Sequence, residues 1–327
     1  MKRVNNVFIT GATGFLGSTI VAQAVASGLS VTATDRFESA KISGVPFTSA
    51  DILDPISLSK IFEGSDCVCH VAGLAHSFNK SEALTAPFHA VNVTGTDNVV
   101  HAAVRAGVRH FILISSVSVY GPYTVGLFDE NTPCHPVGSY AVSKFNSELR
   151  SIKIAREAGI PLTIMRLATL YGEDDPGNIC HLVRALDKGR FIWIGNGSNR
   201  KSLLYKEDAA RACLAVMAQP ASGINIYNVS APPHTMQEIV DTIAKGLGKN
   251  PLSIRIPGAL ALNMTNFISK LSNQRFAGLH TMIQKWLAED VYNTNRFEEA
   301  YGFQTKTSLE DGLKREVDWY RQKQQNG

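Results

Sequence analysis

Tyr140-Ala-Val-Ser-Lys144 places a phenol and an ammonium four residues apart, about one helical turn, so both fall on one helix face. At an effective dielectric of about 20, a cation roughly 4 Å from a phenolate contributes about 4 kcal/mol, enough to bring a phenol from about 10 toward 7. Such a pair can make a tyrosinate near neutral pH, a general base able to take the proton of an alcohol. The same spacing arises by chance in many helices, so its meaning rests on the segments that position it.

The first of these is at the amino terminus. Val7-Phe8-Ile9 reads as a buried strand running into Thr10-Gly11-Ala12-Thr13-Gly14-Phe15-Leu16-Gly17, a G-x-x-G-x-x-G spacing. The first glycine lets the chain turn off the strand, the second lets backbone N–H groups approach a pyrophosphate, and the third lets helix and strand pack closely. The following helix, roughly 15–26, aims its positive end at the phosphates. The next strand, 30–34, ends at Asp35, where a carboxylate can accept both ribose hydroxyls and repel a 2′-phosphate, which favours NAD over NADP. Arg36 keeps NADP open: its guanidinium can turn inward onto that phosphate or stay solvated at a helix entry.

The elements around these segments form a parallel sheet. Strand-like runs at 7–10, 31–34, 67–71, 110–115 and 162–166 alternate with helical ones, which implies an α/β, Rossmann-type doubly wound sheet covered on both faces. A helix over 90–106 ends at Gly107. Residues 1–170, with 226–229 returning to the sheet, make the dinucleotide-binding domain. Residues 171–225 and 230–327 make a smaller, discontinuous substrate lobe. Thr235-Met-Gln-Glu238 and Thr307-Ser-Leu-Glu310 both have the capping-box pattern for helix starts in that lobe.

Composition narrows the function. The 327 residues are 44% hydrophobic and 18% charged with a net charge of +4, an excess too small and too scattered for a nucleic-acid surface. The first apolar run is used by the nucleotide-binding strand, so no targeting segment is expected. The apolar stretch 256–271 is broken by Pro257, Asn263, Asn266 and Lys270 and reads as a core or interface helix, so no membrane partner is expected. Five cysteines give no disulfide framework, and none has zinc-ligand spacing with a nearby histidine, so the reading is cytoplasmic and metal-free.

Together these residues resemble the extended short-chain dehydrogenase/reductases, in particular the NAD-dependent epimerase/dehydratase family that works on nucleotide sugars. The resemblance runs nearly end to end. It rests on the glycine motif, Asp35, Asp51-Ile52, His70-Val71-Ala72-Gly73, Asn92-Val-Thr-Gly95-Thr96, Ser115-Ser116-Val-Ser118-Val-Tyr120-Gly121 and Tyr140-x-x-x-Lys144. It implies a catalytic group of Ser116, Tyr140 and Lys144. It also implies a cofactor path of Gly11, Thr13, Gly14, Phe15, Leu16, Gly17, Asp35, Arg36, Asp51, Ile52, Val71, Ala72, Gly73 and Asn92, shared with Tyr140 and Lys144. Asp51 and Ile52 would flank the adenine, the alternative for Asp51 being a turn residue before Pro55.

The same resemblance gives Ser118, Asn178, Arg200 and Lys201 as contacts to the substrate. Lys201 stands where the family has a phosphate-binding arginine, with Arg200 beside it, and the family's Arg-x-Gly-Asp near the carboxyl end is replaced by Asp290-Val-Tyr-Asn. A lysine there binds phosphate without the bidentate fork of an arginine. Asn178 can contact a nucleotide diphosphate or cap its loop. His76 can face the sugar or sit in a surface loop. Phe191 and Trp193 read as core before base-stacking residues.

The implied activity is a nucleotide-sugar 4-epimerase, a UDP-hexose being the substrate, working as a homodimer through helices around 92–104 and 140–154. Val117 and Ser118 occupy the positions of the acid–base pair by which 4,6-dehydratases eliminate water, which argues against dehydration. The rival readings are a UDP-4-keto-sugar reductase of surface-polysaccharide synthesis, suggested by the run from Asn199 to Tyr205, a sterol- or flavonol-type reductase, and a non-catalytic dinucleotide-binding protein.

Overall fold

The computed structural model of the chain describes residues 4–37, 39, 42–75, 85–122, 126–250, 254–271 and 277–325. His76 lies outside them. Seven strands form one sheet: β1 (Asn6–Thr10), β2 (Ser30–Asp35), β3 (Phe47–Ser49), β4 (Cys67–His70), β5 (His110–Ser116), β6 (Leu162–Leu167) and β7 (Ile224–Val229). They lie in the order β7-β6-β5-β4-β1-β2-β3, and every neighbouring pair is parallel. The order turns back between β1 and β4, and in open α/β sheets the crevice beyond the carboxyl ends of the strands at such a point is where ligands bind. The short β3, a half-exposed Phe-Thr-Ser, carries too little apolar patterning to be found in the sequence.

Alternation along the strands supplies two cores. Val7 and Ile9 of β1 join Cys67 and Cys69 of β4 on one face, under α1 (Phe15–Ala26). Phe8 and Val68 face the opposite side, with Val99 and Val100 of α2 (Thr96–Arg105) and Ile154 of α3 (Ser139–Ala158). The expected helix over 90–106 begins earlier and is not regular. Thr85–His89 leads into α2 through a π-helical turn, Ala90–Gly95, a local widening that often accompanies functional residues.

A third core gathers α4 (Asn178–Asp187), α6 (Met236–Leu247) and α9 (Leu309–Gln325) around strand fragments, and α8 (Ala277–Leu287), which follows α7 (Gly258–Leu271), reaches it through Trp286; α5 (Lys206–Ala218) packs into the first core with α1. The apolar centre of the third core includes Tyr171, Trp193, Tyr205, Ile239, Ile243, Leu313 and Val317, all buried. Phe191 and Trp193 meet edge-to-face in this core, 5.0 Å between centroids. Thr235 caps α6 in a complete capping box with Glu238. The second expected box slides by one residue: Ser308 rather than Thr307 caps α9, accepting from the Asp311 N–H at 3.1 Å, because the Thr307 N–H is drawn to the Asp208 carboxylate at 2.9 Å.

Glu316 of α9 is fully buried. Its Oε2 accepts the Gly172 N–H at 3.0 Å, while Oε1 has no hydrogen-bond partner among the described residues. Burial, with the charge of Asp175 nearby, pushes its carboxyl up to about 9. Between its ordinary value and about 9 the folded chain therefore holds a proton that the unfolded chain has lost, so stability falls as pH rises, by about 1.4 kcal/mol per pH unit. Glu316→Gln keeps an acceptor for Gly172 and removes this loss. Thermal melts should show the variant gaining several degrees between about pH 6 and pH 8 relative to the parent chain; equal pH slopes for the two would refute the assignment.

Candidate active site

The glycine loop is shaped by close approach. Gly11 has φ +65°, and a Cβ there would sit 2.5 Å from the Ala72 nitrogen, so the loop after β1 runs directly against the loop after β4. Gly14 begins α1 with no side-chain cap, which leaves the first-turn N–H groups of Phe15, Leu16 and Gly17 directed at the crevice. Thr13 turns back to Asp35: its hydroxyl and N–H both donate to Oδ2, at 2.7 and 3.2 Å. Arg36 is exposed and lies over the Phe37 ring at 5.8 Å, on the solvent side.

Strand β3 brings Asp51 and Ile52 alongside the end of β2. The Asp51 carboxylate accepts the Leu53 N–H at 2.9 Å in a turn, so the turn role is realised here. Ile52 packs onto Gly95 so closely that a Cβ at Gly95 would lie 2.6 Å from its Cδ1. On the other side of the crevice, Val71 donates its N–H to the Thr10 carbonyl at 3.3 Å and Ala72 to the Thr10 hydroxyl at the same distance.

Asn92, in the π-turn, fastens the loop after β4 to α3. Its Oδ1 accepts the Leu74 N–H at 2.7 Å, and its amide donates to the Leu74 carbonyl at 3.0 Å and the Ser143 hydroxyl at 2.9 Å. Ser143 in turn donates to the Tyr140 carbonyl at 2.8 Å. A Cβ at Gly73 would stand 3.1 Å from Asn92 Oδ1 and 3.9 Å from Lys144 Nζ. The space above Gly73 is therefore a cradle that leads to the lysine and that any side chain would narrow, and it fits an extended dinucleotide.

Ser116, Tyr140 and Lys144 converge at the end of β5 and the first turn of α3. The Ser116 hydroxyl accepts the Ser118 N–H at 3.2 Å and caps the 3-10 turn Val117–Tyr120. Burial raises the Tyr140 phenol above its ordinary value, and the Ser116 hydroxyl beside it pulls it partly back. Lys144 Nζ donates to the Ile114 carbonyl at 2.5 Å, and burial lowers it to about 8, with Glu148 one turn further on opposing that shift. The phenol acidified by its lysine, as the four-residue spacing suggested, is thus not realised. Loss of hydration dominates the phenol, and one of the three N–H groups of the Lys144 ammonium goes to the Ile114 backbone carbonyl. Val117 is buried, and the buried Ser118 hydroxyl has no hydrogen-bond partner among the described residues, an orphan polar atom two residues from Ser116.

Behind this group lies a network that the sequence reading missed. Glu148 and Arg166, both almost fully buried, form an ion pair at 2.7 Å; Arg166 also donates to the Tyr120 hydroxyl at 3.0 Å, and Tyr120 to Asn228 at 2.7 Å. Ser115 donates to Glu148 as well. The pattern Tyr140, Lys144, Glu148, one face of one helix at four-residue steps, was the signal that could have found it. Lys206 was also missed; its Nζ lies 5.7 Å from the centroid of the Phe15 ring at the start of α1 and pairs with Glu173.

The candidate substrate contacts fare unequally. Asn178 is exposed at the first turn of α4, and the capping role belongs to Asp175, whose carboxylate takes the Gly177 and Cys180 N–H groups at 2.7 and 3.1 Å. Asn178 is left facing outward. Lys201 is held by Asp290 at 2.5 Å and the Lys285 carbonyl at 2.6 Å, and Arg200 by Glu289 at 3.1 Å. Both cations are neutralised by the adjacent Glu289-Asp290 pair, so neither presents a free charge to a phosphate.

A parallel sheet of this order, a glycine loop at its switch point and a Ser, Tyr and Lys group above the next crevice define a Rossmann-type dinucleotide-dependent enzyme. Residues 7–230 match the model of the NAD dependent epimerase/dehydratase family, and the chain belongs to that family. The N-acetyl-alpha-D-glucosaminyl-diphospho-ditrans,octacis-undecaprenol 4-epimerase of Escherichia coli O157:H7 is 28% identical to it over 96% of this chain and 95% of its own. The UDP-glucose 4-epimerase of Vibrio cholerae is 25% identical over 98% and 97%. In fold it is similar to the Bacillus cereus UDP-glucuronic acid 4-epimerase, solved with NAD, at TM-score 0.78 and 21% identity over 97% of this chain and 99% of that one. The family is NAD-dependent, and its members are enzymes. Among the described residues no helix is long and apolar enough to cross a membrane.

Proposed function

We propose that this chain is a 4-epimerase of hexoses carried on a nucleoside diphosphate, with a UDP-hexose as substrate and NAD as its tightly held cofactor. The convergence of Ser116, Tyr140 and Lys144 beside the cradle at Gly73 carries the reading. NAD, when bound there, supplies a hydride acceptor that can hand the hydride back. The residues of the chain do the rest. Tyr140 takes the proton of the sugar hydroxyl and later returns it, Ser116 holds the same oxygen, and the Lys144 ammonium stabilises the phenolate as it forms.

Gly11, Gly14 and the first turn of α1 hold the diphosphate of the cofactor. Asp35 takes the adenosine ribose in exchange for Thr13, and Asp51 with Ile52 borders the adenine. Val71, Ala72, Gly73 and Asn92 line the passage to the nicotinamide end. Residues 171–225 and 230–327 receive the sugar's carrier, with Asn178 facing it and Ser118 offering its orphan hydroxyl to the hexose. Exposed Val142 and Leu149, seven residues apart on α3, support a homodimer through α2 and α3. The two relatives named above support this reading, since both are named as 4-epimerases of a hexose on a diphosphate.

Retention of cofactor is the test. Protein purified without added nucleotide should carry NAD and interconvert a UDP-hexose and its 4-epimer with no cofactor supplied. A chain that purifies without NAD and consumes NADPH with a 4-keto sugar would overturn the epimerase reading in favour of a ketoreductase. One observation favours that second reading: a phenol kept protonated by burial is already in the form that a ketone reduction needs.

A further inference from the structure

Helices α7 and α8 pack against each other as a hairpin whose inner and outer faces differ sharply. The inner face is tied to the substrate lobe: Thr265 Oγ1 meets His280 Nδ1 at 3.0 Å between the helices, Trp286 Nε1 donates to the Ile194 carbonyl at 2.9 Å, and Asn199 donates to the Trp286 carbonyl at 2.8 Å. Ala261, Thr265 and Ile283 are buried there. The outer face is apolar and open. Leu260, Met264 and Phe267 of α7 stand at i, i+4 and i+7, one stripe of the helix, and are 51%, 52% and 65% exposed. Leu279 and Met282 of α8 and Ile254 just before α7 are exposed as well.

Charge accompanies the apolar stripe. The whole chain has 28 Asp and Glu, yet from Ile254 to Leu287 there is none, while Lys270, Arg275 and Lys285 fall within that stretch together with Arg255, whose guanidinium turns inward to the Asn196 carbonyl and Gln237. A short helical hairpin with large exposed apolar residues and cations unaccompanied by acids has the composition of an element that lies in the headgroup region of an anionic bilayer. With 14 and 11 residues, the helices are suited to lying on such a surface and are too short to cross it.

We propose that the outer face of α7 and α8 docks this enzyme peripherally on an anionic membrane surface. A second copy of the chain is the competing occupant of an apolar face. A two-fold contact would set against its own copy a segment that has cations and no acid to answer them. Anionic lipid answers them directly. The hairpin is also continuous with the lobe that carries Arg200 and Lys201, since Lys201 Nζ is held by the carbonyl of Lys285. Docking through it leaves α2 and α3 free and presents the substrate lobe to the bilayer. The inference does not depend on the 4-epimerase reading.

Sedimentation of the full chain with vesicles decides the matter. Vesicles of mixed phosphatidylcholine and phosphatidylglycerol should pull down the parent chain at least about tenfold better than vesicles of phosphatidylcholine alone, with the difference shrinking in high salt. Met264→Glu/Phe267→Glu should lose this binding while keeping the melting temperature and turnover of the parent. Lys285→Glu should weaken binding to the anionic vesicles only. Absence of binding by the parent to anionic vesicles at low salt would overturn the proposal. So would a double variant that binds like the parent, or one whose main effect, by light scattering, is to split a dimer.

Discussion

Tyr140→Phe should lower kcat by about 10²–10⁴-fold, the range that a positioned general acid–base contributes, while leaving cofactor affinity nearly unchanged. On the proposed mechanism the phenol exchanges a proton with the substrate oxygen, and its ring is held independently of the hydroxyl, by the edge of Phe88 at 6.1 Å and by the hydrogen bond from Ser143 to its carbonyl. The variant should therefore fold and bind as before. The pH profile carries further information. The productive pair, phenolate with ammonium, has the same proton count as phenol with neutral amine, so the two interconvert by an internal transfer. With Lys144 lowered to about 8 and Tyr140 raised, the singly protonated pair builds up as pH approaches 8, and kcat/KM should climb to about that pH before levelling. Steady-state rates across that range on parent and variant would check both points. A Tyr140→Phe enzyme with parental turnover would remove the phenol from the reaction.

The fold could be read from the sequence where a physical demand leaves a local mark. Strands such as Val7-Phe8-Ile9, buried on both faces, must be continuously apolar, and the glycines must be glycines because the backbone of the next loop is within touching distance. β3 escaped because three half-exposed residues at a sheet edge need no pattern. The π-turn at Asn92 escaped because one extra residue in a helical turn leaves no signature in periodicity, although the asparagine was singled out. The proposed catalytic pair Tyr140 and Lys144 was marked in the sequence by its spacing, and its electrostatics were not. Spacing fixes which side chains share a face, whereas a titration depends on hydration and on what Lys144 donates to, and its acceptor, the Ile114 carbonyl, lies thirty residues away. Arg200 and Lys201 show the same limit, since the acids that neutralise them lie 89 residues further along the chain.

Arg166→Met should be the most destabilising of these substitutions, at about 3–5 kcal/mol, because it strands the Glu148 carboxylate in a site with almost no access to water. A typical domain has about 5–15 kcal/mol in total, so the urea midpoint should fall by about a fifth or more. The cost lies in the unpaired charge rather than in the lost attraction, and a second substitution separates the two. Glu148→Leu added to Arg166→Met removes the stranded anion, leaves the hydroxyls of Ser115 and Tyr120 as the neutral polar groups facing the site, and should recover a large part of the loss. Catalysis should not recover with it. Glu148 is the group that opposes the lowering of Lys144 by burial, so in the double variant the lysine should lose its proton at a lower pH, and the break in the pH–rate profile should move below about 8. Denaturant midpoints and pH–rate profiles of the parent, single and double variants test both halves. If the double variant were as unstable as the single one, the stranded charge would not be the cause, and if the break in its profile stayed in place, Glu148 would be a structural partner of Arg166 with no hold on the catalytic lysine.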